Sequence, residues 1–109
     1  MRHIGVGTFH VTDEMRQCVA EVLFNERISY GYFSRELEHH FSRIHECKFG
    51  VLSNSGTSSL LVALQALKEL RGWQDGDEVL IPSVTFVATA NIVLHNKMVP
   101  VPVDVELNY

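Results

Sequence analysis

Apolar residues recur along "TDEMRQCVAEVLFNER" at Met15, Cys18, Val19, Val22 and Leu23. That i, i+3, i+4, i+7, i+8 spacing is one face of a helix. Thr12 is placed to cap it, and Asp13 and Glu14 suit the positive end of its dipole. After the punctuation of Gly31 in "ISYGYFS", a second helix is predicted over about 34–45, with Ser34 as cap and Phe33, Leu37, Phe41 and Ile44 on its buried side. "KFGVLSN" is short, apolar and bounded by turn formers, which predicts a strand over 49–53. Leu60, Leu61, Leu64, Leu67 and Leu70 then give a wide apolar face to a helix over about 56–70. The polar connection "RGWQDGDE" leads into "EVLIP", a buried strand that Pro82 stops. "TFVATANIVLHN" is a helical segment rich in Val, Thr and Ile, which weaken helix propensity. "VPVPVDV" is a final strand whose two prolines require an edge or irregular position.

From residue 49 onward the order is strand, helix, strand, helix, strand. That order predicts an α/β layer with a largely parallel sheet. No repeat, low-complexity stretch or linker divides the chain. It reads as a single incomplete domain over 1–109, with an amino-terminal helical part over 1–48 and an α/β part over 49–109. Only "ELNY" follows the last strand, which leaves no covering element and predicts a fragment.

Composition narrows the picture modestly. Of 109 residues, 46% are apolar and 20% charged, as in an ordinary globular protein. Nine Lys+Arg against thirteen Asp+Glu give a net charge of −4, which disfavours a nucleic-acid surface. No apolar run approaches the roughly 20 residues that span a bilayer. "MRHIGVGTFHVTDE" lacks the apolar centre of a secretion signal. Cys18 and Cys47 form no CxxC, and the preferred reading is two buried thiols in a reducing compartment, hence the cytoplasm.

The chemistry concentrates in "SNSGTSSLLVAL", where seven small or polar residues, Ser53 to Ser59, stand directly before an apolar run. A helix start exposes backbone N–H groups without internal partners, and their dipoles favour an anion such as phosphate. Gly56 lets the backbone approach such a ligand, and Thr57 and Ser58 add hydroxyl donors. Helix capping, for which Ser55 alone would suffice, explains the same residues without a ligand. The stretch is neither a P-loop, for want of the lysine, nor a GxGxxG fingerprint. His39, His40, His45 and Cys47 cluster in sequence, but without a matching Cys/His pair elsewhere, and no metal site is assigned. No G-x-S-x-G elbow is present. Trp73, beside Gly72, is open between a lid over the core and an interface anchor.

"SNSGTSSLLVALQAL" followed by "GDEVLIPSVTFVATANIVLHNKMVPVPVDV" resembles the DegT/DnrJ/EryC1/StrS family of pyridoxal-phosphate-dependent sugar aminotransferases. The resemblance covers essentially Ser53 to Val105 and, less specifically, the helix, "ISYG" turn and helix of the first half. It implies the amino-terminal part of the large domain of a fold type I transferase, a mostly parallel sheet with flanking helices. The implied cofactor is pyridoxal 5'-phosphate. Gly56, Thr57 and Ser58 match the turn that holds its phosphate, and Phe86 matches the aromatic residue that stacks on its ring. Ser29, Tyr30 and Gly31 fall on a turn near the family's active site, and Asp104 matches an Asp read as structural. The implied reaction moves an amino group from an amino acid such as glutamate to a nucleotide-linked keto-sugar, in nucleotide-sugar and polysaccharide biosynthesis, in a homodimer.

That chemistry needs a lysine to bind the cofactor covalently and a carboxylate beside the pyridine nitrogen. The family carries both well after the "P-V-x-V-D" strand. Lys48, Lys68 and Lys97 match neither place, so no residue is assigned a catalytic role and the chain alone is expected to be inactive. Lys68 reads as a surface helix position and Lys97 as a solvated turn. Two alternatives stand beside the aminotransferase: a sugar dehydratase of the same family, and a non-catalytic small α/β phosphate-binding module.

Overall fold

Thr12 sets where the first helix begins. In the computed structural model, which describes residues 7, 9–25 and 28–106, its backbone is extended and its hydroxyl accepts the Met15 N–H at 3.3 Å. Helix α1, Asp13–Phe24, follows with Asp13 and Glu14 in its first turn and closes at Asn25, whose side-chain amide donates to the Glu21 carbonyl at 2.9 Å. Helix α2 spans Tyr32–Ile44. It starts earlier than the sequence suggested, because Gly31 is the capping position and Ser34 works from inside the first turn, its hydroxyl accepting the Gly31 N–H at 3.4 Å. The chain leaves α2 through Glu46, whose φ of 52° is left-handed, while the Cys47 N–H returns to the Ser42 carbonyl at 2.8 Å.

The chain divides into two units, Met1–Gly50 and Val51–Tyr109. In the first, the backbones of α1 and α2 do not approach closely among the described residues, and the helices share only a groove lined by Glu21 and Val22 on one side and Tyr32, Phe33 and Ser34 on the other. The expected buried faces are therefore open: Met15, Val19 and Leu23 on α1, and Phe33, Leu37, Phe41 and Ile44 on α2, are all exposed. Cys18 and Cys47, read from sequence as buried thiols, are exposed for the same reason. The burial that periodicity predicted for these faces is not found among the described residues. Two interactions order the surroundings of α2. The Tyr30 hydroxyl donates to the Glu38 carboxylate at 2.5 Å, which raises the phenol pKa above its ordinary value. Gly50 passes so close to the helix that a Cβ there would meet the Glu38 carbonyl oxygen at 2.5 Å.

The second unit begins irregularly. The strand expected over 49–53 does not form, and Phe49, Val51 and Leu52 are exposed. A strand needs a neighbour to satisfy its backbone groups, and the two-stranded sheet among the described residues does not include this segment. Helix α3, Gly56–Arg71, then runs to Gly72, which ends it at φ 70°. Strand β1, Glu78–Pro82, helix α4, Ala88–His95, and strand β2, Val99–Val103, form one β-α-β crossover. β1 and β2 pair in parallel, Glu78 opposite Val99 and Pro82 opposite Val103. α4 is shorter than its apolar run suggested. Residues 83–86 bend first, and the Phe86 carbonyl accepts the Thr89 N–H at 3.0 Å in place of a further helical turn.

The core of this unit is small. Ile81, Ile92, Val93 and Met98 are buried, with Leu61, Leu64, Val79 and Ala90 packed around them. So α4 sits on the sheet and α3 packs against α4. Asn96 is the buried polar joint between the helices: its side-chain amide donates to the Ile92 carbonyl at 2.7 Å and reaches the Leu61 carbonyl of α3 at 3.4 Å. Lys68 is not the free surface residue its sequence setting suggested. Its ammonium donates to Asp75 at 2.5 Å and to the Asn96 carbonyl at 2.7 Å, with its side chain only 11% exposed. That hydrogen bond, followed by the charges of Lys68 and Lys97, lowers the Asp75 pKa.

Candidate functional site

The hydroxyl-rich stretch folds as a capped helix start. Ser55 has an extended backbone, and its Oγ accepts the Ser58 N–H at 3.2 Å and lies 3.1 Å from the Ser58 hydroxyl. The Ser53 hydroxyl donates to the Ser55 carbonyl at 2.8 Å and sits beside the Ser59 hydroxyl. These bonds shape the turn from inside. They also separate residues that sequence reasoning grouped together. Ser58 has both its N–H and its hydroxyl engaged with Ser55. The Gly56 and Thr57 N–H groups and the Thr57 hydroxyl have no hydrogen-bond partner among the described residues.

Space permits a ligand at this end. Gly56 and Thr57 are exposed, and a Cβ built on Gly56 meets nothing within 4 Å. The role of Gly56 is thus not forced by crowding within this chain; an empty approach is what a closely seated anion needs. Two unpartnered amides and one hydroxyl without a partner among the described residues thus stand in the first turn, at the positive end of a 16-residue helix, where backbone N–H groups favour negative charge. No titratable side chain with a shifted pKa lies in this turn, so the electrostatics come from the backbone.

Phe86 belongs to a different loop, between β1 and α4. It is 75% exposed, and the Thr85–Thr89 hydroxyl pair at 2.9 Å braces the bend that carries it. No hydrogen bond among the described residues joins it to the Gly56 turn. Asn96, the residue that ends α4, meets α3 twice: its carbonyl accepts from the Lys68 ammonium and its side-chain amide reaches the Leu61 carbonyl, so the end of α4 lies along α3 between these two positions. The turn of Ser29, Tyr30 and Gly31 belongs to the first unit, where Tyr30 is held by Glu38. Asp104 follows β2 and accepts the Val105 N–H at 2.9 Å. His39, His40, His45 and Cys47 are exposed, and the His45 ring lies 4.3 Å from that of Phe41. Trp73 lines a groove with Leu64, Leu67 and Met98 at the foot of α3.

The three lysines differ in how firmly they are held. Lys68 is bonded as described, Lys97 lies 3.6 Å from Asp75, and Lys48 stands over the Phe49 ring at 5.2 Å. The Lys68 and Ser53 interactions were missed from sequence. Both depend on partners whose spacing carries no local periodic signal.

A sequence profile of the DegT/DnrJ/EryC1/StrS aminotransferase family matches residues 10–109. The chain is 46% identical over 74 residues to the L-glutamine:2-deoxy-scyllo-inosose aminotransferase of Micromonospora echinospora, covering 68% of this chain and 17% of that protein. Among solved structures it resembles S. venezuelae DesV in complex with a ketimine intermediate, with a TM-score of 0.72 and 33% identity, over 85% of this chain and 24% of that one. It also resembles the E. coli GDP-4-keto-6-deoxy-D-mannose-3-dehydratase with bound hydrated PLP, with a TM-score of 0.84 and 21% identity, over 93% of this chain and 26% of that one. The chain therefore spans about a quarter or less of the length of these relatives. Its α/β architecture, a parallel two-stranded sheet with flanking helices, is shared with pyridoxal-phosphate enzymes of fold type I.

Proposed function

Because the chain belongs to the DegT/DnrJ/EryC1/StrS aminotransferase family, we propose that it supplies the phosphate seat of a pyridoxal-phosphate cradle in a sugar aminotransferase. The whole enzyme would move an amino group from an amino acid such as glutamate to a nucleotide-linked keto-sugar, as a homodimer in the cytoplasm. The observation that carries this reading is the pair of unpartnered amides at Gly56 and Thr57, with the Thr57 hydroxyl beside them and open space in front. Gly56 and Thr57 take the direct phosphate contacts. Ser58 shapes the turn through Ser55, and its hydroxyl faces the same end of the helix. Phe86, on its exposed bend, offers a flat face to the pyridine ring and fixes its tilt.

When bound, the cofactor supplies an electron-withdrawing ring that stabilises charge at the substrate carbon. The residues of this chain bind and orient. None of Lys48, Lys68 and Lys97 falls where the family carries its covalent anchor, so this chain alone would hold the phosphate without turning over. Sugar dehydration with the same cofactor is the second reading, favoured by the likeness to the E. coli 3-dehydratase. Both chemistries use the same seat.

Titrating the chain with pyridoxal phosphate and with pyridoxal, followed by borohydride reduction and peptide mapping, tests the proposal. Binding that requires the phosphate, with no single lysine labelled, is expected. Equal affinity for both compounds refutes the phosphate seat. One specifically labelled lysine among the three refutes the division between binding and chemistry.

A further inference from the structure

The connection between α3 and β1 contains the pair Asp75–Gly76. An aspartate followed by glycine is chemically vulnerable, because glycine has no side chain to hinder attack by its own backbone nitrogen. In that attack the Gly76 nitrogen bonds to the Asp75 Cγ, and the amide proton and the carboxyl OH leave together as water. A cyclic imide results. Water then adds back at one of its two carbonyls. Opening at Cγ restores aspartate. Opening at the Asp75 main-chain carbonyl leaves isoaspartate, in which the chain runs through Cβ and Cγ. One water is lost and one is regained, and no oxidant or other reactant is needed. The other aspartates lack this chemistry, because Asp13 and Asp77 precede glutamate and Asp104 precedes valine.

Ring closure needs a protonated carboxyl, a free amide nitrogen and a backbone that brings them together. The structure withholds all three. Lys68 of α3 donates to the Asp75 carboxylate at 2.5 Å, and Lys97, between α4 and β2, lies 3.6 Å from its other oxygen. Both cations favour the ionised form, which has no OH to lose. The Gly76 N–H donates to the Lys97 carbonyl at 2.8 Å. The Asp77 N–H donates to the Gln74 carbonyl at 3.3 Å and closes a turn in which Gly76 has a φ of 90° and Asp75 does not take a left-handed φ. That is the type II pattern, in which ψ of the second residue is about 120°. At that angle the Asp75 Cβ points away from the Gly76 nitrogen, whereas ring closure requires the two to eclipse. Asp77 supports the same turn, its carboxylate accepting the Gln74 N–H at 2.8 Å.

The restraints converge on one contact. Lys68 also donates to the Asn96 carbonyl at 2.7 Å, so it holds Asp75 and the end of α4 with the same ammonium. Both groups of Lys97 that act on the pair follow directly after Asn96. The Asp75 side chain is 61% exposed, so water has access to it. We infer that Asp75–Gly76 is a latent isoaspartate site, held shut by the turn, by Lys68 and by the ammonium and carbonyl of Lys97, and opened when the end of α4 parts from α3. Isoaspartate adds one methylene to the main chain directly before Gly76, so the Gly76 N–H would no longer meet the Lys97 carbonyl. The modification thus records an opening and hinders its reversal. Nothing in this chemistry involves the cofactor seat.

Ageing the whole chain, folded and in urea, tests the assignment. The tryptic peptide over 72–97 is mapped for isoaspartate by electron-transfer fragmentation, which separates position 75 from position 77. In urea, isoaspartate should form at Asp75 and not at Asp77. The folded chain should form it about tenfold more slowly, since reaction waits on local opening. Lys68→Met should raise the folded rate about threefold, the scale of a partly exposed ion pair, and leave the urea rate unchanged. Lys97→Met, at a side chain 78% exposed, should act in the same direction and decides the matter if Lys68→Met does not fold. Val93→Ala weakens the core of this unit without touching the turn, so it should leave the folded rate unchanged. Equal rates folded and in urea, or unaltered folded rates in the lysine variants, overturn the inference. Acceleration by Val93→Ala equal to that by Lys68→Met also overturns it, because loss of the whole fold would then be the trigger.

Discussion

Replacing Thr57 by valine keeps the shape of the side chain and removes its hydroxyl. That hydroxyl has no partner among the described residues, so its loss should cost the fold little, within about 0.5 kcal/mol for an exposed position. If it donates to a phosphate, the lost bond is to a charged acceptor, worth about 1.5 to 3 kcal/mol. That corresponds to a drop in affinity of about 10- to 150-fold. Ser58→Ala perturbs a different thing. Its hydroxyl lies 3.1 Å from that of Ser55, so removal loosens the cap and should lower stability by about 0.5 to 1.5 kcal/mol. Ser55→Ala removes the cap itself, about 1 kcal/mol, and should weaken stability and binding together by disordering the first turn. Calorimetric titration with pyridoxal phosphate, paired with urea unfolding of each variant, separates the two quantities. Thr57→Val should fall on the binding axis alone and Ser58→Ala mainly on the stability axis. Unchanged affinity in Thr57→Val, or an equal affinity loss in Ser58→Ala, would show that the free groups of this turn are not the ones a phosphate uses.

Other consequences are checked more simply. Val93 is fully buried, so Val93→Ala should destabilise the second unit by about 1.6 kcal/mol from two lost methylene equivalents, with a further cavity cost, while Leu94→Ala on the exposed side should change little in the same urea titration. The lowered pKa of Asp75 means that its pairing with Lys68 is fully present above the ordinary carboxylate range near pH 4 and is lost as pH falls through the depressed value. Acid titration of stability should therefore show a component that Asp75→Asn abolishes. Tyr30 has the opposite dependence in the alkaline direction. Its raised pKa should appear as a phenolate absorbance transition above about pH 10 that Glu38→Gln moves downward. Gly50→Ala should displace the segment after α2, because a methyl group would lie 2.5 Å from the Glu38 carbonyl oxygen; faster exchange at the Cys47 amide is the readout.

Local signals made much of this legible in sequence. "EVLIP" ends where proline stops it, and β1 covers those five residues. Thr12 and Ser55 cap the helices they precede, because capping is decided within three residues. The strand expected over 49–53 failed for the complementary reason. Strand formation depends on a neighbour, and apolar composition alone does not provide one. The helices α1 and α2 were legible in the sequence, but the burial expected on one side of each was not found, since burial belongs to whatever lies against a helix. Within the site, sequence grouped Gly56, Thr57 and Ser58 as equals. Only coordinates distinguish Ser58, turned inward to Ser55, from its free neighbours. The engagement of Lys68 with Asn96, 28 residues away, has no trace in local pattern at all.

Glu38 touches both connections of α2. Its carboxylate receives the tyrosine of the incoming turn, and its carbonyl walls in the glycine of the outgoing loop. A shift of α2 by one turn, about 5.4 Å, would part Glu38 from both at once. Lengthwise displacement of α2 therefore costs contacts on its incoming and outgoing sides together, while its apolar flank stays open.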